Sequence, residues 1–181
     1  MELPAFKYHP DPLKTGAIAS SDEACACCGE RRGFVYTGPV HSTREVDASI
    51  CPWCIGSGEA HERFEADFTD TAGIGSHGVW TAVAPDIVRE VAHRTPGFRG
   101  LQQARWWTHC GDAAEFLGHA GAEEVIAAGP ALVKRLREDL GWPRGGAFDR
   151  YVGSLRKTEG PTAYLFRCLH CGQFGGYSDA S

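Results

Sequence analysis

Four of the eight cysteines fall into two Cys-x-x-Cys pairs, Cys25 with Cys28 and Cys51 with Cys54, a spacing at which thiolates hold a metal ion. In the first pair, Gly29 follows Cys28. A chain that turns sharply enough to aim its amides at the sulfurs favours a residue without a Cβ. In the second, Pro52 presets one backbone angle of the turn. Two thiolates from each knuckle complete a closed tetrahedral shell around Zn²⁺, and a closed shell gives the metal a structural task. The intervening span is about two residues longer than the usual upper limit and still fits the pattern. Redox chemistry is the competitor. Cys51-Pro52-Trp53-Cys54 precedes a polar segment, 58–65, that could be helical, and a thiol at a helix N-terminus is acidified and nucleophilic. A redox pair has no need of Cys25 and Cys28, whereas zinc uses all four.

A third pair, Cys168 and Cys171 with Gly172 after it, cannot close a tetrahedron alone. Cys110 is the best third ligand, standing outside the knuckle segments at the end of an expected strand. His109 is the fourth by residue type, although neighbouring strand residues point apart. His170 and Cys27 are its rivals, and Asp112 is a further candidate. Four protein ligands would make a second closed zinc site; three would leave a zinc-bound water, acidified enough to act as a nucleophile. The closed form is preferred. Other catalytic signatures are missing: there is no H-E-x-x-H, no G-x-S-x-G, no P-loop lysine and no deaminase pairing. Residues 73–78 match G-x-G-x-x-G by letter, but no buried strand feeds them, so a loop is expected.

Several elements must position these groups. Residues 1–24, with Pro4, Pro10 and Pro12, read as extended chain or coil, and the isolated His9 as a surface or hydrogen-bonding residue. Residues 33–40 have strand composition and supply the hairpin expected between the knuckles. A short strand is expected at 64–69. Pro85 opens a helix that Pro96 and Gly97 stop, with Ile87, Val88 and Val91 on one face. Residues 103–109 read as a strand whose Trp106 and Trp107 pack in a core. Asp112 is placed to cap a helix at 113–117, and further helices are expected at 123–128, 131–140 and 148–155. Strands at 162–167 and 174–177 flank the third knuckle.

The fold class is therefore α+β: zinc-ribbon-like knuckles and β-hairpins with a helical middle section. Residues 1–70 form the zinc-ribbon-like portion. Residues 71–181 form a helical portion closed by the C-terminal hairpin, the two making one compact unit. A chain of 181 residues can bury one sizeable core. No apolar run is long enough to cross a bilayer, and the first residues lack the basic and apolar regions of an export signal. A cytoplasmic location is expected, where thiols stay reduced. A net charge of -5 speaks against a protein that coats nucleic acid and suits a small molecule or a basic protein partner.

Several blocks together resemble the CbrC family of bacterial proteins. They are Leu3-Pro4-x-Phe6-x-Tyr8-His9-Pro10-Asp11-Pro12, Cys25-x-Cys27-Cys28, Tyr36-Thr37-Gly38-Pro39-Val40-His41, Cys51-Pro52-Trp53-Cys54-Ile55, Arg94-Thr95-Pro96-Gly97-Phe98, Trp107-x-His109-Cys110-x-Asp112 and Phe166-x-Cys168-x-His170-Cys171-Gly172. The family name is associated with tolerance to a colicin, a secreted bacterial nuclease toxin. The resemblance implies a small cytoplasmic metal-binding protein whose duty is protection against such a toxin, and an acidic chain complements a basic nuclease. The expected function is a zinc-binding, non-catalytic interaction protein. A hydrolytic enzyme built on the second zinc site and a zinc-ribbon nucleic-acid-binding regulator are the alternatives. The regulator is disfavoured because the chain lacks a basic stripe.

Overall fold

The computed structural model describes residues 2–46 and 48–179. Strand β1 (Ile18–Ser20) pairs antiparallel with β2 (Phe34–Tyr36), placing Ile18 opposite Tyr36 with both side chains buried. The first knuckle sits in the connection between these strands. The strand expected at 33–40 thus finds its partner before the knuckle rather than between the knuckles, because Ile18 supplies the apolar face that Tyr36 needs. Proline opens three of the helices, where its missing N–H costs nothing: α1 (Pro52–Ser57), α3 (Pro85–Arg94) and α5 (Pro130–Asp139). Between the first two lies α2 (Glu59–Phe64). The strand expected at 64–69 reduces to a single bridge between His41 and Asp67, and residues 73–78 run through short 3-10 turns without a strand before them.

A tight antiparallel hairpin, β3 (Thr108–His109) and β4 (Asp112–Ala113), leads into β5 (Glu115–Ala120). The helix expected at 113–117 is therefore a strand. Asp-Ala-Ala-Glu has the local signature of a capped helix, but Phe116 is fully buried opposite Phe166 and stacks on Phe98 at 3.9 Å. Cross-strand aromatic burial outweighs the fraction of a kcal/mol per residue that helix propensity offers. The central sheet runs β5-β6-β7 antiparallel, with β6 (Thr162–Arg167) and β7 (Phe174–Asp179) flanking the third knuckle. Helices α4 (Ala122–Ala127), α5 and α6 (Gly146–Ser154) cover one end of it through Leu132, Leu136, Phe148 and Val152. Trp106 and Trp107 are buried in the aromatic core beside Phe116 and Phe166. Among the described residues no helix is long and apolar enough to cross a membrane.

His9 is fully buried against the edges of Phe116 and Trp106. Its Nδ1 donates to the Pro96 carbonyl at 2.6 Å, which leaves Nε2 to accept from the Thr15 hydroxyl at 2.7 Å. Burial pushes its pKa from the ordinary 6.5 down to about 4. The folded state keeps the ring neutral while the unfolded chain protonates it. The contribution is complete above the unfolded value and is lost as pH falls from about 6.5 toward about 4, a difference of about 3 kcal/mol. Denaturant melts across this range should show stability falling with acid. The drop should be smaller by about that amount in His9→Gln; equal slopes for the two proteins would contradict it.

Candidate metal centres

The first centre is built by the β1–β2 connection and the N-terminus of α1. Cys25 Sγ lies 3.9 Å from Cys54 Sγ, and Cys28 Sγ lies 3.9 Å from Cys51 Sγ. Distances of this size exclude a disulfide and suit four ligands around one ion. Amides aim at the Cys25 sulfur: Cys27 N–H donates at 3.3 Å and Cys51 N–H at 3.2 Å. Gly29 takes φ 76°, which lets its amide return to the Cys25 carbonyl at 2.8 Å. Cys25, Cys51 and Cys54 are buried among Ile18, Ile50 and Ile55.

Thiols this close together titrate as a coupled group. The hydrogen bond from Cys51, followed by backbone amides, holds the Cys25 thiol down to about 4, against the effect of desolvation. That same contact and then burial push Cys51 up, and burial followed by the Cys25 thiolate pushes Cys54 up. One thiolate thus suppresses ionisation of its neighbours, a conflict that a divalent ion at the centre removes because it deprotonates its thiol ligands outright. All four sulfurs converge within 4.8 Å, the complete set that zinc uses and that a redox pair does not need.

The second centre joins three segments. Cys168 and Cys171 come from the β6–β7 turn, His109 from β3, and Cys110 from the turn of the β3–β4 hairpin. His109 Nδ1 lies 3.2 Å from Cys110 Sγ and 3.5 Å from Cys171 Sγ, and its ring stacks on Trp107. The expectation that adjacent strand residues point apart fails at this position because Cys110 leaves the strand. It takes φ 54°, a left-handed conformation that swings its sulfur back onto the His109 ring. The turn after Cys168 repeats the first knuckle: His170 N–H donates to the Cys168 sulfur at 3.4 Å, and Gly172 returns its amide to the Cys168 carbonyl at 3.0 Å. Desolvation would raise the Cys168 thiol, but the amide of Cys171 and contacts with His109 and His170 bring it down to about 6. Cys110 is pushed up to about 11 by desolvation and by its neighbours Cys171 and Cys168.

The rival ligands go elsewhere. His170 Nε2 donates to Asp112 Oδ2 at 2.9 Å, and Asp112 also accepts from Tyr8 Oη at 2.7 Å and Lys7 Nζ at 3.0 Å. Against a desolvation that would raise it, the hydrogen bonds from Tyr8, Lys7 and His170 hold the Asp112 carboxyl below its ordinary range. Asp112 is thus a brace that ties the N-terminal segment to the hairpin. The roles of Lys7 and Tyr8 in it have no local signature in the sequence. Cys27 lies beside Cys54 and Glu59 rather than at the second centre. The two centres differ in exposure: Cys110 and Cys171 face solvent, whereas three of the four cysteines in the first centre are buried.

A family model described as an uncharacterised protein family, UPF0167, matches residues 3–180. UPF0167 proteins from Mycobacterium bovis and Mycobacterium tuberculosis are each 44% identical over 183 residues, covering 98% of this chain and 94% of their own. A UPF0167 protein from Pseudomonas aeruginosa is 44% identical over 172 residues, covering 94% and 93%. No solved structure matches the chain. With the match extending through both knuckle regions and the C-terminal hairpin, the chain belongs to the UPF0167 family.

Proposed function

We propose that this is a zinc-binding, non-catalytic interaction protein in which two four-ligand sites hold the binding surface in shape. The observation that carries this reading is the completeness of both ligand sets. Cys25, Cys28, Cys51 and Cys54 form one, and His109, Cys110, Cys168 and Cys171 form the other, each converging within 4.8 Å. Tetrahedral zinc held by four protein groups keeps no position for a reacting water, which weighs against hydrolysis at these centres. Sulfur-rich sets of this kind favour zinc over magnesium or calcium. The partner we favour is a basic bacterial nuclease toxin. The net charge of -5 and the resemblance to the CbrC family support that choice.

Elemental analysis of protein purified without added metal should give two zincs per chain, falling to one in Cys110→Ser and in Cys168→Ser. A chelator should strip the more exposed second site first. A single zinc, unchanged in both variants, would sink the two-site reading. Binding and inhibition assays against nuclease toxins carried by competing strains test the partner; an absence of binding to every toxin assayed would remove the immunity role and leave the zinc sites standing.

A further inference from the structure

A third group of ligating side chains lies apart from both thiol clusters. Helix α2 carries His61 and ends at Phe64; Glu65 then takes φ 52° and turns the chain, its amide returning to the His61 carbonyl at 2.7 Å. The turn brings Asp67 beside His61, where reciprocal backbone hydrogen bonds with His41, at 2.8 and 2.7 Å, fix its position. His93, in the last turn of α3, completes the group. Asp67 Oδ1 is 3.2 Å from His61 Nδ1 and 3.3 Å from His93 Nε2. That oxygen is shielded from solvent and accepts a hydrogen bond from neither ring, so the nitrogens are close to it without being aligned to donate. A shielded carboxylate oxygen with no donor is costly, and two imidazole nitrogens converging on it mark the place of a cation.

From this convergence we infer that His61, Asp67 and His93 form a metal site for a divalent first-row ion of the zinc, cobalt or iron type. Two imidazoles and one carboxylate suit such ions, and three protein ligands leave at least one position for water or a ligand oxygen. The two rings face a cleft of about 250 Å³ that also borders Glu62, Asp86, Arg89 and Glu90. The rings are stacked with centroids 3.5 Å apart and planes 7° from parallel. Parallel rings cannot direct their in-plane lone pairs at one point, so binding turns at least one ring out of the stack. His61 Nδ1 also lies 3.2 Å from the Ala66 carbonyl, to which it donates as N–H; ligation through this nitrogen breaks that hydrogen bond and uses the other tautomer, with the proton on Nε2.

The inference is independent of the function assigned to the thiol clusters, and the test separates them by spectroscopy. Full-length protein holding two zincs per chain at the thiol clusters, dialysed against a weak chelator to clear zinc from the three-ligand site, is titrated with Co²⁺. The expected result is one further equivalent, giving visible d–d absorption without the near-ultraviolet charge-transfer bands of thiolate–cobalt bonds. His93→Asn and the nearly isosteric Asp67→Asn should each abolish this uptake while keeping the dialysed zinc content and the circular dichroism spectrum of the parent. No uptake, uptake showing only thiolate bands, or uptake that survives in both variants would overturn the site.

Discussion

Cys51→Ser is expected to empty the first centre and unfold the N-terminal portion of the chain. Cys51 is buried, sits where α1 begins, and places its sulfur 3.9 Å from Cys28 while its amide supports the Cys25 sulfur. Serine keeps the amide and the size but supplies no thiolate, so the remaining three sulfurs face one another without a closed shell. The apolar residues nearby cannot compensate. Ile18, Ile50 and Ile55 pack around the cysteines themselves, so the cysteine cluster is part of what they bury against. A structural zinc contributes on the order of 10 kcal/mol in small domains, comparable to the whole stability of many folded proteins. Elemental analysis should show the loss of one zinc per chain, and circular dichroism should show a lost or strongly lowered thermal transition. Chelation of the parent protein should reproduce it. A variant that melts like the parent with its zinc content intact would show that Cys51 is not a ligand.

The knuckles were legible because their chemistry is local: two thiols at a fixed spacing, followed by glycine or containing proline, announce a turn that presents sulfur whatever the rest of the chain does. Gly29 and Gly172 both take the left-handed conformation such a turn demands. Joining Cys110 to the third pair was also legible, since that pair needed partners. Legibility ended where tertiary packing took over. Nothing in the order Asp112-Ala113-Ala114-Glu115-Phe116 says that Phe116 will be buried opposite Phe166 rather than continue a capped helix. The coplacement of His109 and Cys110 depends on one left-handed residue that is not glycine, for which composition gives no signal. The group of His61, Asp67 and His93 was invisible for a related reason. Its members share no motif, and only the packing of α2 against α3 and the bridge to His41 bring them together.

Gly97→Ala is expected to destabilise the protein by about 4 kcal/mol or more, a loss that substitutions reach only through a specific steric or polar fault. A Cβ at this position would stand 1.8 Å from the Phe68 carbonyl oxygen and 3.0 Å from Tyr36 Oη. Overpacking is tolerated when a flexible side chain can retreat, but here one wall is backbone. Phe68 cannot withdraw easily: its amide donates to the Ala92 carbonyl at 2.7 Å, and its buried ring meets Tyr36 edge-on at 5.3 Å. Gly97 cannot withdraw either, because the Pro96 carbonyl is held by His9 and the Phe98 ring is stacked on Phe116. The contact joins the core around the first candidate metal centre to the aromatic core beside the second, so the strain is felt on both sides. Gly153→Ala supplies the contrast. It lies exposed in α6 with nothing within 4 Å of a new Cβ, and should be neutral or stabilising by about 0.5–1 kcal/mol. Urea titrations of the two variants beside the parent measure the difference directly. A loss below about 1 kcal/mol for Gly97→Ala would mean that the approach of the two backbones is not kept in solution.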